Sequence, residues 1–275
     1  MKPTTHLTQI SVLTSSLILG GNVALAQNEV EDLIFIPREL PSTDDRSGDG
    51  ENPGNLPSAS ENNNCASISE RIKALVPVTI EESDFSPSST ERILEATLEE
   101  TPSFWFYVPS GDSLTAQFTL VNERNIREYR SNFPLPDDGG IVGVTIPSSL
   151  PDEDEDLLKI GQDYRWQFSI ICDPDRPSLN LTVQGWVRRL DTSEISSDSR
   201  ERINVNSDYS ALRPYIVNLV EEGIWYDALT LVGANYYENP ADEEIASDWQ
   251  TLLESVDLES YAEIPIVLFF SPEVE

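Results

Sequence analysis

The hydrophobic period changes part-way along the chain, and this switch limits the fold more than any other feature. From Cys65 to about Leu190 apolar residues come in short, strand-length runs set off by turn residues. Ala74 to Pro77 is one such run, and Ser103 to Val108 is apolar on both faces. Leu114 to Val121 alternates, with Leu114, Ala116, Phe118 and Leu120 on one face. Arg127 to Phe133, Gly140 to Ile146, Tyr164 to Cys172 and Leu181 to Leu190 follow at similar spacing. Strands of this length and spacing predict an antiparallel β-sandwich, Ig-like in style, over residues 65–190. Ser89 to Glu100 fits a helix or an insertion better than a strand.

After Asp191 the period becomes helical. Leu212, Ile216, Leu219 and Val220 form the stripe of an amphipathic helix over Tyr209 to Glu222, stopped at Gly223. A second helix is predicted from Ile224 to Tyr237, and a third from Asp242 to Val256 that buries Ile245, Trp249, Leu252 and Leu253. Residues 191–275 therefore read as a small α-helical C-terminal unit of about three helices, packed on the sandwich. The expected class is β + α.

Ahead of the sandwich, Lys2, the apolar run Ile10 to Leu19 and the small-x-small site Ala24-Leu25-Ala26 have the order of a signal peptide over residues 1–26. The expected location is periplasmic or extracellular. Residues 27–64 are acidic and rich in Pro, Gly and Ser, and read as a flexible tail. Its one apolar island, Leu33-Ile34-Phe35-Ile36, is suited to adding a strand to a sheet edge.

Composition then removes whole function classes. The chain has 17 Lys+Arg against 49 Asp+Glu, a formal net charge of −32. Nucleic acid and anionic membrane surfaces need clustered cations, so neither is an expected partner, and no later stretch is long and apolar enough for membrane insertion. At 39% hydrophobic residues the chain can still bury a core. The single histidine, His6, falls in the segment to be cleaved. A mature chain without imidazole has no Ser-His-Asp or Cys-His base and lacks the usual ligands of catalytic zinc. The two cysteines, Cys65 and Cys172, read as one disulfide in an oxidising compartment, the alternative being two free thiols. A bridge closing a loop of about a hundred residues contributes roughly 4–5 kcal/mol in the chain-entropy model.

Several strings resemble a cyanobacterial family catalogued as domain of unknown function 928. They are Ala74-Leu-Val-Pro77, Pro102-Ser-Phe-Trp-Phe-Tyr-Val-Pro109, Cys172-Asp-Pro174 and Gly185-Trp-Val-Arg-Arg189. Gly223-Ile-Trp-Tyr-Asp-Ala-Leu229, Asp248-Trp249, Leu252 to Val256 and Ile264-Pro-Ile-Val267 continue the series. The resemblance implies an exported protein with a β-rich part followed by helices, and it implies no activity. Two departures stand out. Glu61 to Asn64 replaces a Gly-rich, Thr-Arg-containing run before Cys65, and Phe269-Phe270 replaces a terminal Cys pair. Without that pair, Cys65 and Cys172 have no competing partner.

Candidate sites are few. Asp152, Asp154 and Asp156 take positions 1, 3 and 5 of an EF-hand-like loop, but Leu157 and Asp163 stand where Gly and Glu are required. Asp45, Ser47, Asp49 and Gly50 satisfy the Gly rule and then place Leu56 at position 12. Weak calcium binding is the most these loops predict. Asp173, Asp175 and Asp227 are the acids in the most structured contexts, and Asp227 reads as a hydrogen-bond acceptor. Trp105 and Tyr107 face helices if their strand is central, and form an exposed aromatic strip for a sugar or peptide if it is peripheral. Arg165, Arg188 and Arg189 are expected to neutralise nearby acids. The resulting expectation is a non-enzymatic, cofactor-free exported protein that acts through an envelope or extracellular protein. The alternative is a carbohydrate-active or calcium-dependent binding protein or hydrolase using surface carboxylates.

Overall fold

In the computed structural model the described residues are 32–38, 40, 65, 68, 71–81, 90–92, 94–151, 155–196 and 208–271, all within a compact unit spanning 32–275. The expected signal peptide and the Asp45–Gly50 loop lie outside them.

The strands are β1 (Lys73–Ala74), β2 (Thr79–Glu81), β3 (Thr90–Arg92), β4 (Leu94–Thr97), β5 (Ser103–Val108) and β6 (Thr115–Asn122). They continue as β7 (Arg127–Pro134), β8 (Gly140–Thr145), β9 (Asp163–Ile170), β10 (Leu181–Arg189) and β11 (Ile266–Phe270). One sheet has the order β1-β5-β8-β11 and a second has β4-β10-β9-β6-β7, while β2 and β3 pair as a hairpin. Three helices, α1 (Tyr209–Glu221), α2 (Trp225–Glu238) and α3 (Glu243–Glu254), follow the second sheet in sequence. The β + α class holds, but both sheets are mixed. β4 runs parallel to β10 and β11 runs parallel to β8.

Those two parallel strands, like the β2–β3 hairpin, fall outside the strands expected from the sequence, and β3 and β4 replace the helix or insertion expected over Ser89 to Glu100. All four residues of β4 are buried, so the alternation that betrays a half-exposed strand is missing. β11 closes the region read as helical, and its five apolar residues carry no period of their own.

The double-sided apolar run of β5 has a simple cause. Phe104 and Phe106 face the five-stranded sheet, with Phe104 4.9 Å from Phe118 and Phe106 stacked 4.1 Å from Phe168. Trp105 faces the helices, 6.0 Å from Trp249 and stacked 5.1 Å from Phe269. Its indole N–H donates to Thr230 Oγ1 at 3.2 Å. Two glycines make room for it. A Cβ on Gly143 or on Gly233 would come within 3.0 Å of the Trp105 ring. The four-stranded sheet is thus the middle of three layers.

Helix ends follow local chemistry. Gly223, at φ 70°, stops α1, and Asp242 caps α3 by accepting from the N–H groups of Glu244 and Ile245. Trp225 at the start of α2 donates to the Leu75 carbonyl at 2.9 Å, tying helix to sheet. The island 33–36 joins no strand. Leu33 and Phe35 are buried, Phe35 lies 4.9 Å from Trp225, and the Ile36 N–H donates to the Val220 carbonyl at the end of α1. Leu33 and Phe35 bury apolar surface there, while Ile34 and Ile36 between and after them stay exposed. Cys65 and Cys172 are disulfide-bonded across 107 residues, joining the approach to β1 with the exit from β9.

Candidate functional site

The helices contact β4, β5 and β11, so no described helix covers the outer face of the five-stranded sheet over β6, β7, β9 and most of β10, where Thr119 and Val121 are buried among their neighbours. The alternation that sends Ala116, Phe118 and Leu120 inward sends Thr115, Gln117 and Thr119 outward. Strand register turns these outward residues into rows. Asn132, Gln117, Ser169 and Thr182 lie side by side across β7, β6, β9 and β10. Arg130, Thr119, Gln167 and Gln184 form the next row, and Arg127, Val121, Arg165 and Trp186 the third.

Within the rows the amides and hydroxyls are joined in pairs. Gln117 Nε2 donates to Asn132 Oδ1 at 2.9 Å, and Gln167 Nε2 to Gln184 Oε1 at 3.1 Å. The hydroxyls of Ser169 and Thr182 are 2.8 Å apart. Each amide keeps further donor and acceptor capacity toward solvent. The third row carries charge. Among the described residues, no carboxylate pairs with Arg127, Arg130 or Arg165. Arg165 donates instead to Asn125 Oδ1 at 3.2 Å, and its Nε is buried with no partner among the described residues. The expectation that Arg165 neutralises an acid is corrected here, because register places it between Val121 and Trp186. Arg188 and Arg189 do meet acids. Arg188 grips the fully buried Asp163 with two hydrogen bonds, and Arg189 reaches Asp156 at 2.7 Å.

The carboxylates are arranged differently. A cleft of about 530 Å³ opens where the β6–β7 turn meets residues 155–164, and Glu123, Glu128, Glu155 and Asp156 line it together with Lys159. The Lys159 ammonium, 2.5 Å from Glu155, holds that carboxyl below its usual range and is itself raised in return. Of the EF-hand-like triad, Asp152 and Asp154 lie outside the described residues, and Asp156 is taken up by Arg189. No group of three potential metal ligands occurs among the described residues.

Interior acids have structural partners, with one exception. Asp248 accepts from the Tyr209 hydroxyl at 2.8 Å and from both Arg213 Nε and Nη2. Burial, followed by the nearby Asp248 charge, pushes the Tyr209 phenol far up. Asp227 is an acceptor, as its context predicted, but its donors are the Thr97 hydroxyl and the Leu98 N–H at 2.8 Å. Glu95, on β4, is the exception. Burial alone drives its carboxyl well above the ordinary range, and no described residue hydrogen-bonds it. It lies beside Tyr226, whose hydroxyl accepts from Trp166 Nε1 at 2.7 Å. Glu95 lines neither the acidic cleft nor the groove between α2 and α3.

The aromatic strip does not form. Trp105 is fully buried between β5 and the helices, and Tyr107 is half-buried 5.4 Å from Tyr261, because β5 is an inner strand with a layer on each side. The open face was missed as a site, although its signal is present. Arg124, Arg127 and Arg130 crowd one short stretch of a chain poor in cations.

Residues 56–266 match the family model described as Domain of Unknown Function (DUF928). The chain belongs to this family. The DUF928 match takes in β1 to β10 and all three helices and ends at the first residue of β11. Phe269 and Phe270, beyond the matched residues, have packing roles, Phe269 on Trp105 and Phe270 stacked 4.7 Å from Phe133. A comparison with curated proteins found no match.

Proposed function

We propose that this protein is an exported, non-enzymatic module of the periplasm or extracellular space. On this reading its two-sheet frame serves as an Ig-like scaffold that holds an anionic envelope component against the outer face of the five-stranded sheet. The observation carrying the reading is the set of Arg127, Arg130 and Arg165. Three guanidinium groups share one open face, without a described acidic partner, in a chain of net charge −32. Where acids outnumber cations nearly threefold, cations left facing solvent favour an anion from outside the molecule. The disulfide supports an oxidising location. No helix among the described residues is long and apolar enough to cross a membrane.

The test is affinity capture from envelope extract with the processed chain and with a triple Arg127→Gln, Arg130→Gln, Arg165→Gln variant, with and without calcium. Capture that depends on the three arginines supports the reading. Capture identical with both proteins removes it.

A further inference from the structure

Resting on that reading, we infer that the ligand of the open sheet face is a linear acidic polysaccharide of the uronate type. Arg127 and Arg165 stand two strands apart, about 10 Å, and Arg130 lies about 10 Å from Arg127 along β7. A compact anion such as free phosphate needs converging donors, whereas these three are spread out. Spread cations suit a polymer that presents one carboxylate after another, each met by the planar fork of a guanidinium.

Beside these charges lie amides and hydroxyls: Gln167 and Gln184 in the row that Arg130 begins, and Asn132, Gln117, Ser169 and Thr182 in the row beyond it, while Val121 stands between Arg127 and Arg165. Sugar hydroxyls donate and accept at once, and so do these groups. An acidic peptide would instead call for apolar pockets or a free strand edge, and would then lie along the outer edge of β7, away from Gln167 and Gln184. Half-buried Trp186 ends the charged row beside Arg165. Arg165 has no described carboxylate partner, and Asn125 Oδ1, accepting from its Nη2 at 3.2 Å, holds the guanidinium in place.

The experiment titrates the processed chain, disulfide intact, into fluorescently labelled oligogalacturonate, dextran and poly-glutamate. It is run at about 0.15 M salt without calcium, where the Debye length of about 8 Å screens the distant acids. Oligogalacturonate is expected to bind at least about tenfold more tightly than poly-glutamate, with dextran unbound. Each single Arg→Gln variant weakens it several-fold, the triple variant abolishes it, and Gln167→Ala weakens it with no change in charge. Lys159→Gln, in the acidic cleft, leaves it unchanged. Equal binding of poly-glutamate and oligogalacturonate overturns the polysaccharide inference and leaves the anion-binding reading standing. The same split follows if no probe binds while envelope capture still depends on the arginines. Oligogalacturonate binding that survives the triple variant overturns both.

Discussion

The two sheets meet through matching aromatic faces and differ in what lies on their far sides. On the four-stranded sheet the far side carries Trp105, Tyr107 and Phe269, and helices cover it. On the five-stranded sheet it carries Gln117, Gln167, Gln184 and the arginines, and no described helix covers it. The lesson concerns alternation. A strand that is apolar at every position announces a layer on each side, and a strand that alternates announces water, or a ligand, on one. Coverage was decided residue by residue within strands of similar length.

The largest test concerns the link between the sheets. Cys65→Ser with Cys172→Ser should lose about 4–5 kcal/mol of unfolding free energy, read as a fall in urea midpoint that reductant reproduces in the parent protein. A smaller loss would mean that the sheets hold together without it. Next comes a pair of tryptophans. Trp105→Ala empties a fully buried site and should cost about 3–5 kcal/mol, while Trp186→Ala on the open face should cost under about 1 kcal/mol. Similar costs would erase the distinction between the faces.

The third test uses Glu95. Its folded carboxyl titrates above the ordinary value of 4.5, so the folded state favours the protonated form. That contribution is fully present below about pH 4 and is lost as pH rises from the ordinary carboxylate range through the raised folded value. The loss approaches about 1.4 kcal/mol per pH unit within that window. Glu95→Gln should therefore match the parent in urea unfolding at about pH 4 and exceed it at about pH 8. Parallel pH profiles would show that Glu95 is solvated. The smallest effects belong to the open face, where Gln167→Ala and Arg130→Gln should each leave stability within about 0.5 kcal/mol by thermal melting.

Much of the frame was legible because period and turn chemistry agree. β5 to β10 and the three helices fall close to where apolar spacing places them, and Gly223 and Asp242 act at the helix ends. β4 and β11 were not legible, since each is a short parallel strand whose partner is distant in sequence and whose residues do not alternate. The arm 32–38 was misread for a related reason. Burial of Leu33 and Phe35 depends on α1 and α2, which lie far along the chain. The candidate face was half legible: its polar positions are fixed by alternation, but only register brings Arg127, Arg130 and Arg165 onto one surface.

The position of β11 has a consequence for how the chain reaches its native state. The four-stranded sheet begins with β1, near residue 73, and is completed by a strand near residue 270. Its closure is therefore among the least local contacts in the molecule, and loop-closure entropy opposes it until late. A ribosome still holding the last described strand holds an unfinished sheet with the β8 edge bare. Completion of this sheet is deferred until that strand is free, whereas every strand of the five-stranded sheet has by then left the ribosome.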